Sequence, residues 1–365
     1  MSETEKNARI ILEDGTEFEG FAFGHASSVS AEIVFHTGQG DIARILSDPA
    51  LKDSIVVIAQ PSTGSCSVQD SRLCPLGLEK FLESSAAQIT GLVVAHYAEN
   101  IKAAPVSKTL SRWLRKHGIP GISGIDTRAL IQRLCQRGTM RAKILIDGTR
   151  DVSFSTATKH NHPLYVSVKQ RIMYGNGTKK IIAVDCGIKN SSIRKLVSSK
   201  TSVIRVPWNT DYSAEDFDAV FIGGGPGDPT ACEKTIEVLR SVLLQNKPIF
   251  ATGQGAVILA LAGGASAYRM AQGHHSTSIP CIDLQTGRCY ITAQNHGYGI
   301  RDESLPPDWS PLFLDNITHT TEGFSTKKGL FSGVLFQPEG KPGPEDTSFL
   351  FDRFLSLIEN GEHLK

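Results

Sequence analysis

The chain has 365 residues, beyond the length at which one hydrophobic core stops growing, so two domains are expected. Apolar residues make up 40% and charged residues 21%, ordinary proportions for a globular protein without a bilayer-length apolar run. With 38 basic and 37 acidic residues the formal charge is +1, which argues against nucleic acid or an anionic membrane as a partner.

The opening Met1-Ser-Glu-Thr-Glu-Lys6 is polar and acidic. It has neither a secretory apolar segment nor the Arg-rich character of a mitochondrial presequence. Next, Arg9–Phe23 places two apolar runs around Asp14-Gly15, which predicts a hairpin with a type I′ turn. Strands are expected at Ala31–Phe35, Ser54–Ala59 and Gln88–Ala95, and helices at Leu76–Ser84 and Ser107–His117. Asp126 or Thr127 caps a further helix with Leu130, Ile131 and Leu134 on one face, and Gly138 suits its end. The domain boundaries expected are 1–150, a polar linker over 151–179, and 180–365.

Beyond Lys180 the pattern alternates strand and helix, which predicts a mostly parallel sheet covered by helices. Strands fall at Ile181–Val184, Ser202–Pro207, Ala219–Ile222 and Pro248–Ala251. Helices fall at Asn190–Ser199 and over Ile236, Leu239 and Leu243. A last helix carries Phe351, Phe354, Leu355 and Ile358, with Asp346 or Thr347 near its start. The seven cysteines (Cys66, Cys74, Cys135, Cys186, Cys232, Cys281 and Cys289) are odd in number, scattered and without a CxxC pair. This predicts a reducing compartment, no disulfide framework, no metal site and a buried packing role for each thiol.

Lys247-Pro-Ile-Phe-Ala-Thr-Gly-Gln-Gly-Ala-Val257 reads as a buried strand, a tight turn and an apolar helix, the elbow that lifts a nucleophile to the rim of an α/β sheet. Its apex, Gly253, has no side chain. Function in such sheets gathers outside the carboxyl ends of the strands. Three segments are expected there: the glycine loop Gly223-Gly-Gly-Pro-Gly-Asp-Pro229, the elbow, and Phe336-Gln-Pro-Glu339.

These segments, with Ala293-Gln-Asn-His-Gly-Tyr298, stand in an order that resembles the class I (triad) glutamine amidotransferases, most closely the glutaminase portion of carbamoyl-phosphate synthase. Val184-Asp-Cys-Gly-Ile-Lys-Asn190 is similar to the opening of that glutaminase domain. Leu12-Glu-Asp-Gly-Thr16, Phe21-Ala-Phe-Gly-His25, Glu32–Gly38, Ser123-Gly-Ile-Asp-Thr-Arg128 and Arg137-Gly-Thr-Met140 resemble the synthase's small-subunit N-terminal domain. The likeness runs from about residue 8 to 360 and implies an α/β fold, an N-terminal small-subunit domain followed by an amidotransferase-like domain.

The resemblance also implies roles for positions. The family's nucleophilic cysteine falls on Gly253 and its histidine on Gln337; of the triad only Glu339 is kept. Positions that contact glutamine or hold the oxyanion fall on Ala50, Gly225, Gly227, Gln254, Val257, Asn295, Gly297 and Tyr298. The family's Gly-Gly-Asn run falls on Ser276–Ser278, behind His274 and His275. The expected function is a catalytically inactive glutaminase-like part, packing on an ammonia-using synthetase, either a large subunit or fused domains. No cofactor is expected. The alternative is a stand-alone regulator or glutamine sensor in nitrogen metabolism. A third reading is a working glutaminase with Thr252 or Gln254 as nucleophile and His296 or the His274-His275 pair as base or metal ligand. Arginine, urea and pyrimidine pathways, and cytosol or mitochondrial matrix, all fit.

Overall fold

A computed structural model describes residues 5–63, 66–69, 71–98, 107–155 and 163–360. The chain divides into two compact units. The first comprises residues up to 73, 79–158 and 271–275; the second comprises 74–78, 159–270 and 276–365.

The first unit contains β1 (Ala8–Leu12), β2 (Glu17–Gly24), β3 (Val29–His36), α1 (Ile42–Leu46), β4 (Ser54–Ile58), β5 (Ser67–Gln69), β6 (Gly91–Val94), β7 (Ser107–Thr109), α2 (Leu110–Lys116), β8 (Pro120–Ser123), α3 (Thr127–Arg137) and β9 (Met140–Ile146). Seven of the strands close a barrel in the order β1-β2-β8-β6-β4-β3-β9, in which β3, β4, β6 and β8 run parallel. Side chains alternate across each strand. Ile10, Ile33, Ile55, Val57, Val93, Ile122 and Ile144 therefore fill the lumen. Val56, Ile58, Leu92 and Val94 turn outward onto α1 and α2 through Leu46, Leu110 and Leu114.

Three local expectations are corrected. Gly15 is left-handed at φ +86° but Asp14 is not, so the β1–β2 turn is not type I′. Instead Gly15 N–H bonds to Leu12 O, and the Asp14 carboxylate accepts from Thr16 N. Leu76–Ser84 is not helical: Gly77 sits at φ +74°, and Leu78 belongs to the core of the second unit while Leu82 belongs to that of the first. Their i, i+4 spacing is thus not one helix face. The helix expected from Ser107 begins at Leu110, capped by the Thr109 hydroxyl, because 107–109 pair with β5. Asp126 caps α3 and Gly138 ends it, as expected.

The second unit contains α4 (Pro163–Val166), β10 (Ile172–Tyr174), β11 (Lys179–Asp185), α5 (Asn190–Leu196), β12 (Thr201–Pro207), β13 (Ala219–Ile222), α6 (Glu233–Leu243), β14 (Ile249–Thr252), α7 (Gln254–Gly263), β15 (Ala267–Asp283, apart from residues 271–275), β16 (Cys289–Ile300), β17 (Trp309–Asp315), β18 (Thr321–Thr326), β19 (Phe331–Val334) and α8 (Phe349–Asn360). They form a ten-stranded sheet, β10-β12-β11-β13-β14-β19-β18-β17-β15-β16. Its centre, β12-β11-β13-β14-β19, is parallel. Strands β17 and β18 extend it antiparallel. One face buries Ile182, Val184, Val220, Ile222 and Ile249 under α6 and α7. The other buries Ile181, Ala183, Phe221 and Phe250 under α5 and α8, where Phe351 meets Phe250 edge-on at 5.4 Å. No described helix is long and apolar enough to cross a membrane. Cys66 and Cys289 are exposed, against the packing role expected of every thiol.

His36, at the carboxyl end of β3, is buried with no hydrogen bond to its Nδ1. Burial lowers its pKa to about 4, with Asp48 and a Gly38 backbone bond opposing. The imidazole is therefore neutral in the folded state, while the unfolded chain takes up a proton as pH falls below about 6.5. Stability is full above that pH and falls by up to about 3 kcal/mol as pH drops toward 4. Urea denaturation at successive pH values checks this: His36→Asn should flatten the slope between those limits, and an unchanged slope would assign it to other groups.

Candidate active site

Strands β13, β14 and β19 are neighbours and parallel, so the segments that leave their carboxyl ends lie side by side. The three segments singled out in the sequence are these. Gly253, between β14 and α7, has φ +56° and ψ −135°, a conformation open to glycine and strained for any other residue. Its N–H donates to Val334 O at 2.8 Å, three residues before Gln337. A Cβ placed on Gly253 would lie 3.3 Å from Gly224 Cα and meet nothing else within 4 Å. The elbow geometry is thus complete, with space above it, around a residue that carries no nucleophile.

The glycine loop is packed so closely that side chains are excluded. A Cβ on Gly223 would collide with Ile188, and one on Gly225 with the Cys186 carbonyl. One on Gly255, at the start of α7, would lie 2.5 Å from both Ile222 O and Gly223 O. Gly227 adopts φ +82°, and its carbonyl accepts from Gln254 Nε2 at 3.1 Å. Gln254 is therefore buried as a brace between elbow and loop. Val257 and Ala256 are wholly enclosed in the core beneath α7.

The third segment carries the charge. Gln337 N–H bonds to Ala293 O at 2.7 Å, and its Oε1 accepts from Lys189 Nζ at 2.9 Å. The same ammonium lies 2.8 Å from Glu339 Oε1 and also donates to Lys341 O. Three acceptors thus meet the three donors of a lysine that is 6% exposed. Lys189 is set in place by the turn before it. Asp185, fully buried, accepts from Gly187 N at 3.1 Å, Ile188 N at 2.8 Å and Val168 N at 2.6 Å. It also pairs with Arg205 through Nε at 3.0 Å and Nη2 at 2.9 Å.

The remaining positions are distributed as follows. Asn295, Gly297 and Tyr298 lie on β16, partly buried, with open space where a Gly297 Cβ would be. The intervening His296 is buried, with Nδ1 at 3.0 Å from Tyr298 O and Nε2 at 2.8 Å from Gln294 Oε1 and 3.1 Å from Glu322 Oε2. Ser276 and Ser278 share a hydroxyl contact of 3.2 Å on β15. Ala50 belongs to the first unit, in a short 3₁₀ turn whose cap is Asp48. Thr252 is buried at the end of β14. Cys186, beneath the glycine loop, is fully buried, and a hydrogen bond with Cys232, then burial, holds its thiol well above the usual range. The sequence reading gave no role to Lys189, Asp185 or Arg205. Its one signal was Val184-Asp-Cys-Gly-Ile-Lys-Asn190, a run of polar residues immediately after a buried strand.

Taken together, a strand–glycine–helix elbow beside a glycine loop, on a sheet with a parallel centre, is the architecture of a class I glutamine amidotransferase domain. The family model for class I glutamine amidotransferase matches residues 182–357, and that for the carbamoyl-phosphate synthase small chain, CPSase domain, matches 10–144. The chain is 35% identical to the carbamoyl phosphate synthase arginine-specific small chain of Neosartorya fischeri, covering 97% of this chain and 80% of that protein. It is 40% identical to the human mitochondrial carbamoyl-phosphate synthase [ammonia], over 99% of this chain but only 24% of the relative. Against the multifunctional protein CAD of Squalus acanthias it is 38% identical, over 97% of this chain and 16% of the relative. The chain belongs to the carbamoyl-phosphate synthase small-chain family, and it spans a quarter or less of the length of these two fused relatives.

Two stability outcomes follow from the geometry. Gly253→Ala should lower stability by about 1–3 kcal/mol through backbone strain alone. Lys189→Met should lower it by about 3–5 kcal/mol, since Glu339 is left buried without its counter-charge. Glu339→Gln placed on Lys189→Met should recover part of that loss. Urea denaturation of the unaltered chain, Lys189→Met, Glu339→Gln and the double variant tests the coupling, and strictly additive losses would mean that the pair does not act as a unit.

Proposed function

We propose that this chain is the glutaminase-like part of a carbamoyl-phosphate synthase and does not hydrolyse glutamine. It serves as a structural and allosteric partner of synthetase domains that take free ammonia. The observation that carries this reading is the state of the three triad positions. The apex of the elbow is a bare Cα, the proton-moving position is a carboxamide, and the surviving carboxylate is neutralised by Lys189.

Attack on an amide needs a nucleophile, a group to take its proton and a group to orient that base. A carboxamide at Gln337 neither takes nor gives a proton in the accessible pH range. A triad that has lost one member retains roughly 10³–10⁴-fold catalysis over water, provided that substrate still binds. Here the glutamine-contacting positions also depart from the family pattern, with Ala50 and Val257 lacking polar groups. A buried amide left unpaired costs about 1–3 kcal/mol. On this reading Gly225, Gly227, Gln254, Asn295, Gly297 and Tyr298 persist because they hold the fold. The exclusion of side chains from the glycine loop and the Gln254 brace support that role.

The partner is a synthetase chain, or synthetase domains on the same polypeptide. Fused relatives and a separate small chain both occur among the proteins this chain resembles. One of them is named for ammonia, in keeping with a dead amidotransferase arm.

The test is direct. The purified chain should release no ammonia from glutamine above an enzyme-free blank. It should also carry no adduct by mass spectrometry after exposure to a diazoketone analogue of glutamine. Combined with synthetase domains, it should support carbamoyl phosphate formation from ammonium and not from glutamine. A covalent adduct on any residue, or glutamine-supported synthesis, would overturn the reading.

A further inference from the structure

The barrel of the first unit repeats, in its parallel half, the geometry that makes sites in open sheets. The carboxyl ends of β4, β6 and β8 point to one side, and a cavity of about 700 Å³ opens there. Ala59, His96, Gly124, Asp126, Thr127 and Arg128 are among the residues that line it. None of these residues belongs to the amidotransferase-like unit.

Three features of this cavity match an anionic oxygen group. Thr127, the first residue of α3, lines the cavity and is only 6% exposed, and among the described residues its hydroxyl makes no hydrogen bond. A hydroxyl without a protein partner on a cavity wall is left for a ligand or for solvent. Arg128 and His96 also line the cavity, with exposed side chains that make no ion pair or hydrogen bond among the described residues. Finally, α3 is an 11-residue helix whose N-terminus faces the same space. The Asp126 cap takes up the Ala129 amide at 2.9 Å. The amide of Arg128, in the first turn, has no intrahelical carbonyl within reach. Backbone donor, hydroxyl, guanidinium and helix dipole thus border the same cavity, and such a combination can hold phosphate.

We propose that this cavity binds a small phosphomonoester, its phosphate held by Thr127, Arg128 and the N-terminus of α3. The volume exceeds what a bare phosphate fills and suits a small metabolite. Asp126, the acidic side chain on the wall, accepts from Ala129 N through Oδ1, and in this proposal its second oxygen accepts from hydroxyl groups on the ligand body. That pairing selects a hydroxylated phosphomonoester over inorganic phosphate. The proposal is independent of whether the second unit hydrolyses glutamine.

Calorimetric titration of the full chain at constant ionic strength, with glycerol 3-phosphate and with inorganic phosphate as probes, tests it. Glycerol 3-phosphate should bind saturably at one site, several-fold more tightly than inorganic phosphate. Arg128→Ala should weaken it about tenfold or more, and Thr127→Val by about threefold to tenfold. Arg150→Ala, an exposed position in the same unit away from the cavity lining, should leave the affinity unchanged. Should Thr127→Val fail to fold, Arg128→Glu on the exposed side of the helix gives the same discrimination. Absence of saturable heat with either probe, or an affinity unmoved by Arg128→Ala, overturns the site. Binding of inorganic phosphate without binding of glycerol 3-phosphate overturns the ligand class.

Discussion

One buried ammonium ties together two segments at the rim of the second unit's sheet. Lys189 reaches from the loop after β11 to three acceptors in the segment after β19, residues nearly 150 positions away in sequence. Burying a lone lysine or a lone glutamate is expensive, so each is tolerable only because the other is there. Their pairing ties the two loops together. A carboxylate that neutralises a lysine is a structural counter-ion; a carboxylate that orients an imidazole is a catalytic part. In this chain Glu339 lies 2.8 Å from the Lys189 ammonium.

The same economy appears beneath the site. The Asp185 carboxylate collects three backbone N–H groups and the Arg205 guanidinium, so the turn carrying Lys189 is over-determined. Around it, glycines are required by contact and not only by conformation, since Gly223, Gly225 and Gly255 abut backbone or Ile188. A loop packed this tightly keeps its shape whether or not a reaction occurs beside it. Retained sequence in that loop is therefore compatible with lost chemistry.

Both units place their open polar features at the carboxyl ends of parallel strands. In the second unit that rim carries the elbow; in the first it carries the cavity beside α3. The common cause is geometric. Parallel strands send their loops to one side, and helix N-termini return there with donors unsatisfied.

Much of this was legible locally. The elbow followed from a four-residue apolar strand, a glycine and an apolar helix, all within reach of nearest-neighbour rules. The α3 caps at Asp126 and Gly138 and the aromatic face of α8 were equally local. What escaped has a consistent reason. β15, with Gln272, Gly273, His274 and His275 at its middle, lacks the alternation that marks a strand, and its place in the sheet depends on pairing with β17 far along the chain. Leu78 and Leu82 mimic one helix face but serve different cores.

Composition and order of motifs by themselves determined that this is a two-part α/β chain of the carbamoyl-phosphate synthase small-chain kind, with no thiol at residue 253 and no imidazole at residue 337. Covalent identity is enough for that, because absent atoms need no coordinates. Only the folded molecule decided that Glu339 faces Lys189, that Gln254 braces the glycine loop, and that the Thr127 hydroxyl opens onto a cavity. Those are encounters between segments distant in sequence, and burial and charge pairing across such distances are settled by packing.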